Sequence, residues 1–208
     1  MTARRGVWIT LEGGDGSGKT TQAELLERAL LDDGRTVLRT REPGGSDVGH
    51  LIRDIVLHHR GDIAPRAEAL LYAADRAHHV ASVVRPALER GEVVLQDRYL
   101  DSSVAYQGAG RVLDASEVRQ LSLWAAEGAL PDLTVLLDLD PAVARARLDS
   151  ADKPFDRLEA EKAEFHTRVR EAFLTLADAE PERFLVVDAV SPAAEIADAI
   201  RARVAELF

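Results

Sequence analysis

The chain contains no cysteine among its 208 residues. Disulfide staples and thiolate metal cages are therefore excluded, and the composition fits a reducing compartment. A chain of this length needs no staple, because it can bury about 70% of the surface its unfolded form would expose. Long apolar runs are missing as well. Residues 6–11 are the only early apolar stretch, too short for a membrane span or for the apolar part of a secretion signal. The expectation is a cytoplasmic protein with no membrane partner. Positive charge is also scarce: 26 Lys and Arg against 36 Asp and Glu give a formal net charge of −10. Non-specific affinity for nucleic acid rests on cations neutralising phosphates, so no nucleic-acid partner is expected. Metal-cage spacings are missing too. His58-His59 and His78-His79 are adjacent pairs whose members point in different directions on a helix, and no His-Glu-x-x-His pattern accompanies them. They read as structural or surface residues.

What is present starts with Gly13-Gly14-Asp15-Gly16-Ser17-Gly18-Lys19-Thr20, followed by Thr21. It fits the P-loop pattern G-x-x-x-x-G-K-[ST] without mismatch, between a buried strand (residues 7–11) and a helix (21–31). Glycines let backbone N–H groups approach phosphate oxygens, at the positive end of the helix dipole. Lys19 is expected on the β- and γ-phosphates, and the Thr20 hydroxyl on Mg²⁺. A nucleoside triphosphate is the expected ligand. The motif does not name an acceptor.

Strand and helix patterns alternate along the rest of the chain. Strands are expected at residues 37–40, 93–97, 133–137 and 184–187, and helices at 47–57, 65–90, 114–127, 141–148, 157–179 and 193–207. Pro86 is expected to kink the third helical stretch. Residues 102–110 read as loop or irregular helix, and 149–156 as a polar loop. The alternation predicts a three-layer, doubly wound α/β fold with a mostly parallel sheet of about five strands, in one domain over residues 1–208.

Ligands of such sheets bind at the carboxyl ends of strands. Asp97-Arg98-Tyr99 is so placed: Asp97 can hold a metal-bound water and Arg98 can clamp a phosphate. Asp138 is a rival acid at the end of a later strand, though Asp140 beside it reads as a helix cap. Ser102 to Gly108 supplies hydroxyls, a phenol and an amide, which suit recognition of a base or sugar. Tyr72 and Arg76 share a helix face, either to sandwich a planar base or as a core residue beside a surface pair. Arg53 either reaches a phosphate or is a solvated helix residue.

Taken in order, Glu12 to Gln22, Arg41-Glu42-Pro43-Gly44-Gly45, Ala74 to Ala77, Asp97-Arg98-Tyr99 with Ser102 to Gly108, and Asp156-Arg157-Leu158-Glu159 resemble the bacterial thymidylate kinases, P-loop nucleoside monophosphate kinases. The resemblance runs from Trp8 to about Ala189. It implies ATP and dTMP as substrates, Mg²⁺ as cofactor and a homodimer formed through helices. It also implies that Asp15 binds the 3′-hydroxyl of dTMP and that Glu42 lines the acceptor site near the sugar. Arg53 and Arg98 would hold the acceptor phosphate, and Tyr72 would stack on thymine. Arg76, Ser103 and Gln107 would read the base, and Tyr106 would disfavour a ribose. Residues 149–156 would form the lid. That segment lacks the arginine expected there, which leaves Arg147, Lys153 and Arg157 as available cations, with Arg147 or Arg157 expected to act. Another nucleoside monophosphate acceptor, or a non-catalytic nucleotide switch, are the alternatives; no Asn-Lys-x-Asp guanine motif supports a GTPase.

Overall fold

Apolar runs bounded by glycine, proline and charged residues become five strands: β1 (Trp8–Glu12), β2 (Val37–Arg41), β3 (Val93–Asp97), β4 (Leu133–Asp138) and β5 (Phe184–Asp188). The structure is a computed structural model that describes residues 5–111, 113–150 and 155–208. All the strands pair in parallel in one sheet of order β2-β3-β1-β4-β5. The helices between them are α1 (Lys19–Asp32), α2 (Asp47–His58), α3 (Pro65–His79), α4 (Arg85–Glu89), α5 (Leu100–Ser103), α6 (Ala115–Ala125), α7 (Pro141–Asp149), α8 (Ala163–Ala179) and α9 (Ala193–Ala205).

Alternate strand residues face opposite layers. Ile9 and Leu11 pack with Leu26, Leu30, Ile196 and Ile200 under α1 and α9. Trp8 and Val94 turn the other way, against Val84, Leu88 and Leu100. A third cluster joins Tyr72 and Tyr106 to Phe165, Val169 and Phe173 of α8. From β1 the chain runs to β2 on one side of the sheet, and from β4 to β5 on the other. Connections that diverge in this way open a crevice at the carboxyl ends of the neighbouring strands β1 and β4.

Two expected helices differ, and one irregular segment takes a defined form. The helix expected over residues 65–90 is interrupted by a π-helical turn at Val80–Val84, where Arg85 N–H bonds Val80 O. Pro86 has no N–H to offer the carbonyl four residues back, so the ladder widens just ahead of it. A second π-helical turn, Val104–Gly110, follows α5 where loop or irregular helix was expected. Finally, α8 begins at Ala163 rather than at residue 157. The Asp156 carboxylate accepts the N–H groups of Leu158 and Glu159, and Glu159 returns a bond to Asp156 N, which closes a separate turn. Of the expected lid, residues 151–154, including Lys153, lie outside the described residues.

Candidate active site

The P-loop forms because three glycines take conformations that other residues avoid: Gly13, Gly16 and Gly18 have φ of 132°, 77° and 95°. A Cβ on Gly13 would also lie 2.5 Å from Leu137 O, so the loop can lie against the end of β4 only with glycine there. The N-terminus of α1 carries no side-chain cap. Its first N–H groups face the loop as an anion site. Buried Lys19 folds back on the loop, its Nζ 3.1 Å from Gly13 O and 2.8 Å from Gly14 O. Burial, then the nearby Arg98, push the Lys19 ammonium below its ordinary range. Ser17 Oγ is buried and has no protein partner among the described residues. Thr20 and Thr21 are exposed at the start of the helix.

Beside the loop lies a cleft of about 490 Å³, walled by the P-loop, the β2 and β3 ends, α3 and the Val104–Gly110 turn. Asp15 reaches into it from the P-loop. Arg98 Nη2 lies 2.5 Å from Asp15 Oδ1, and Tyr106 donates to Asp15 Oδ2 at 3.3 Å. Burial alone would raise the Asp15 carboxyl, but Arg98 and Lys19 outweigh it and hold the pKa down at about 2. Arg98 has φ of 65°, a left-handed conformation for a side chain with a Cβ. Its backbone is fixed from several sides: its N–H bonds Leu11 O at 3.0 Å, its carbonyl accepts from Gln96 Nε2 at 2.9 Å, and Tyr99 N–H bonds Glu12 Oε1 at 2.7 Å. Such over-determination is what a strained residue at a functional site requires. Ser102 completes the clamp, donating to Glu12 Oε2 at 2.6 Å and accepting from Arg98 Nη1 at 3.0 Å.

The far wall is polar and buried. Arg76 is 1% exposed; its Nε sits 3.0 Å from Glu42 Oε2, and its two Nη groups reach Ser122 Oγ and Ser103 Oγ, both at 3.1 Å. Tyr72 lines the same cleft one helical turn earlier. Gln107 donates from Nε2 to Glu68 Oε1 at 2.9 Å. Glu42 is held a second time by His79 Nδ1 at 2.9 Å, whose Nε2 bonds Thr40 Oγ1 at 2.7 Å. Asp75, which the alternative reading of Tyr72 and Arg76 places in a surface pair with Arg76, is buried and accepts Gly44 N–H at 3.1 Å. Burial, then the neighbouring Glu42, raise its carboxyl to about 6.

The remaining expected residues divide by position. Arg53 lines the cleft and donates to Pro43 O at 2.9 Å. Arg147, in the last turn of α7, bonds Gly16 O of the P-loop at 3.3 Å and Ala189 O at 2.9 Å. Arg157 is directed elsewhere: its Nε bonds Val56 O at 2.9 Å and its Nη2 bonds Glu68. Asp97 lines the cleft with Thr20, and its Oδ1 is buried without a protein partner among the described residues. The rival Asp138 is occupied by a two-pronged pair with Arg170 at 2.7 and 2.8 Å, and Asp140 caps α7.

The sequence reading missed Glu12, Glu68 and the inward role of His79. Each is a polar residue inside an ordinary strand or helix pattern, and each gains its partners only when segments 37 to 90 positions away fold beside it. Spacing carried no signal for them. The other members of the two pairs, His58, His59 and His78, are exposed.

Known proteins resemble this chain over nearly its whole length. The family model described as thymidylate kinase matches residues 11–200. A thymidylate kinase of Leifsonia xyli subsp. xyli is 77% identical over 97% of this chain and 96% of its own length. The thymidylate kinase of Clavibacter michiganensis subsp. michiganensis is 74% identical over 98% and 96%. That of Bifidobacterium longum strain DJO10A is 54% identical over 97% and 98%.

Proposed function

This chain belongs to the thymidylate kinase family, and on that premise we propose that it transfers the γ-phosphoryl group of ATP to dTMP, giving dTDP and ADP. One observation carries the reading of the site: Asp15 is part of the P-loop yet points into the neighbouring cleft, where Arg98 and Tyr106 hold it. A donor phosphate on the loop and an acceptor in the cleft would therefore meet at Asp15, Lys19 and Arg98.

In this reading residues 13–21 cradle ATP, with Lys19 released from its loop carbonyls onto the phosphates. Arg98 and Arg53 hold the acceptor phosphate, Asp15 the sugar hydroxyl, and Glu42 lines the acceptor site. Tyr72 stacks on the base while Arg76, Ser103 and Gln107 read its edge, and Tyr106 fills the space a ribose hydroxyl would need. The acceptor is already an anionic oxygen, so positioning and charge neutralisation suffice without a general base. Arg147 is the favoured lid-side cation because it already touches the P-loop; Arg157 is the second candidate. The buried, unpartnered Asp97 Oδ1 and the Thr20 hydroxyl fit a hydrated Mg²⁺, which keeps several waters and few protein ligands. When bound, Mg²⁺ neutralises charge on the β- and γ-phosphates.

No helix among the described residues is long and apolar enough to cross a membrane. A cytoplasmic location and a homodimer are part of the proposal. ADP release with Mg-ATP, measured against dTMP, dUMP, UMP, CMP, AMP and GMP, tests it. A strong preference for dTMP is expected. Turnover with another acceptor would keep the kinase but overturn the pocket assignment, and absence of acceptor-dependent turnover would leave a nucleotide-binding switch.

A further inference from the structure

Gln107 ends in an amide whose two faces are chemically opposite: its oxygen accepts and its NH₂ donates. Which face is offered to the cleft decides what base edge it can read. The residue behind it settles this. Glu68, in the first turn of α3, is fully buried, and its Oε1 accepts Gln107 Nε2 at 2.9 Å. The other oxygen, Oε2, is held by Arg157 and faces Arg111 Nη2 at 3.5 Å. Those arginines are themselves fixed, Arg111 to Glu161 at 2.5 Å and Arg157 to Val56 O at 2.9 Å. A carboxylate between two guanidiniums accepts on both oxygens, so the amide must turn its NH₂ toward Glu68. Its Oε1 is then the face left for the cleft, and among the described residues it is paired with no donor.

We infer that Glu68 is a specificity-determining positioning residue, which locks Gln107 so that it presents an acceptor to the nucleobase and selects bases with a ring N–H. The inference rests on the proposed assignment of the cleft to the acceptor base. The neighbouring groups complete the pattern. Ser103 Oγ accepts from Arg76 Nη2, which leaves the serine hydrogen free to donate. Arg76 can only donate. The wall therefore offers acceptor and donor groups together, suited to an edge in which a ring N–H lies between two carbonyls. Thymine and uracil have that edge. Cytosine presents a bare ring nitrogen to Gln107, which would set two acceptors against each other inside a buried site. Were the amide free to rotate, it could offer its NH₂ and accommodate cytosine.

The test compares kcat/KM for dTMP with that for dCMP in the wild type, Glu68→Gln, Glu68→Asp, Gln107→Leu and the double variant Glu68→Gln/Gln107→Leu. Glu68→Gln can accept or donate and so releases the lock. Glu68→Asp keeps the charge facing Arg111 and Arg157 but withdraws it by one methylene, which guards against a failure of the first variant to fold. The dTMP-to-dCMP ratio is expected to fall about tenfold or more in either, the equivalent of one buried hydrogen bond. In the Gln107→Leu background, Glu68→Gln should move the ratio no further. A purely structural role would lower both substrates alike, so an unchanged ratio in folded Glu68 variants overturns the inference. A wild type that uses dCMP as well as dTMP instead overturns the assignment of the cleft, whatever Glu68 does.

Discussion

Arg98 Nη2 lies 2.5 Å from Asp15 Oδ1, so the arginine after β3 and the acid inside the P-loop form one charged pair across the mouth of the cleft. The pair ties the P-loop to the residues that follow β3. It also explains why a residue with a Cβ is kept at φ 65°. From that backbone position the guanidinium reaches Asp15, Gly13 O and Ser102 together.

The first prediction concerns this residue. Arg98→Gly removes the guanidinium and suits the left-handed backbone, whereas Arg98→Ala removes it and keeps the strain. Both should lose on the order of 10³-fold or more in kcat, the range seen when an arginine that stabilises transferred phosphate is removed. Their stabilities should differ, with the glycine variant more stable by about 1 kcal/mol. Steady-state kinetics and thermal unfolding of the pair check this. An active Arg98→Ala enzyme would contradict the role given to Arg98.

The second prediction follows from Glu12. Burial, reinforced by nearby Asp101, raises its carboxyl to about 8. The folded protein therefore keeps a proton that the unfolded chain releases near its ordinary value of 4.5. Where the native state binds more protons, stability falls as pH rises. The wild type should lose stability from Glu12 between about pH 4.5 and 8. Glu12→Gln cannot titrate, so its melting temperature should gain on that of the wild type across this interval. Asp15 acts in the opposite sense: its lowered carboxyl contributes stability above about pH 4 that is lost as pH falls toward 2. Parallel melting curves of wild type and Glu12→Gln at all pH values would contradict the assignment.

Much of this architecture is legible in the sequence for a simple reason. The strands of a parallel sheet are covered on both faces, so Val93 to Leu95 and Leu133 to Leu137 are apolar runs, interrupted only by Thr134 and flanked by polar or charged residues. The P-loop is legible because its glycines and Lys19 are consecutive. What is not legible depends on distant partners. Glu68 looks like a solvated residue of α3, yet it is buried because Gln107, Arg111 and Arg157 converge on it. The π-helical turn of Val80 to Val84 is equally hidden, since those residues would serve an α-helix as well, whereas irregular helix is one of the readings for residues 102–110. The early start expected for α8 failed because Asp156 satisfies the backbone of its own turn rather than starting the helix.

His79 supports a third prediction. Its ring is fully buried and joins Glu42 to Thr40, so it fixes one wall of the cleft from behind. His79→Ala leaves both partners short of a bond and opens a cavity, at a cost of about 2–4 kcal/mol. Glu42 retains Arg76 but loses its second anchor. The KM for dTMP should rise several-fold while the KM for ATP stays near the wild-type value, because the P-loop does not touch this network. Equal changes in the two constants would point to general loosening instead.

The last prediction concerns the surface of α2, α3 and α6. Val48, Leu51 and Ile55 share one face of α2, and Leu51 is 67% exposed. On the adjoining helices Leu70 is 57% exposed and Trp124 79% exposed. Helix α3 packs between the other two, so these residues lie on neighbouring helices. Large apolar side chains left in water along neighbouring helices are what a homodimer would cover. In sedimentation equilibrium the wild type should have twice the chain mass, and Leu51→Glu combined with Leu70→Glu should have the mass of one chain. Because both positions are exposed within the chain, the fold of the monomer should lose little from the exchange. A wild type that sediments as a single chain at micromolar concentration would overturn the dimer, and the exposed leucines would then need another explanation.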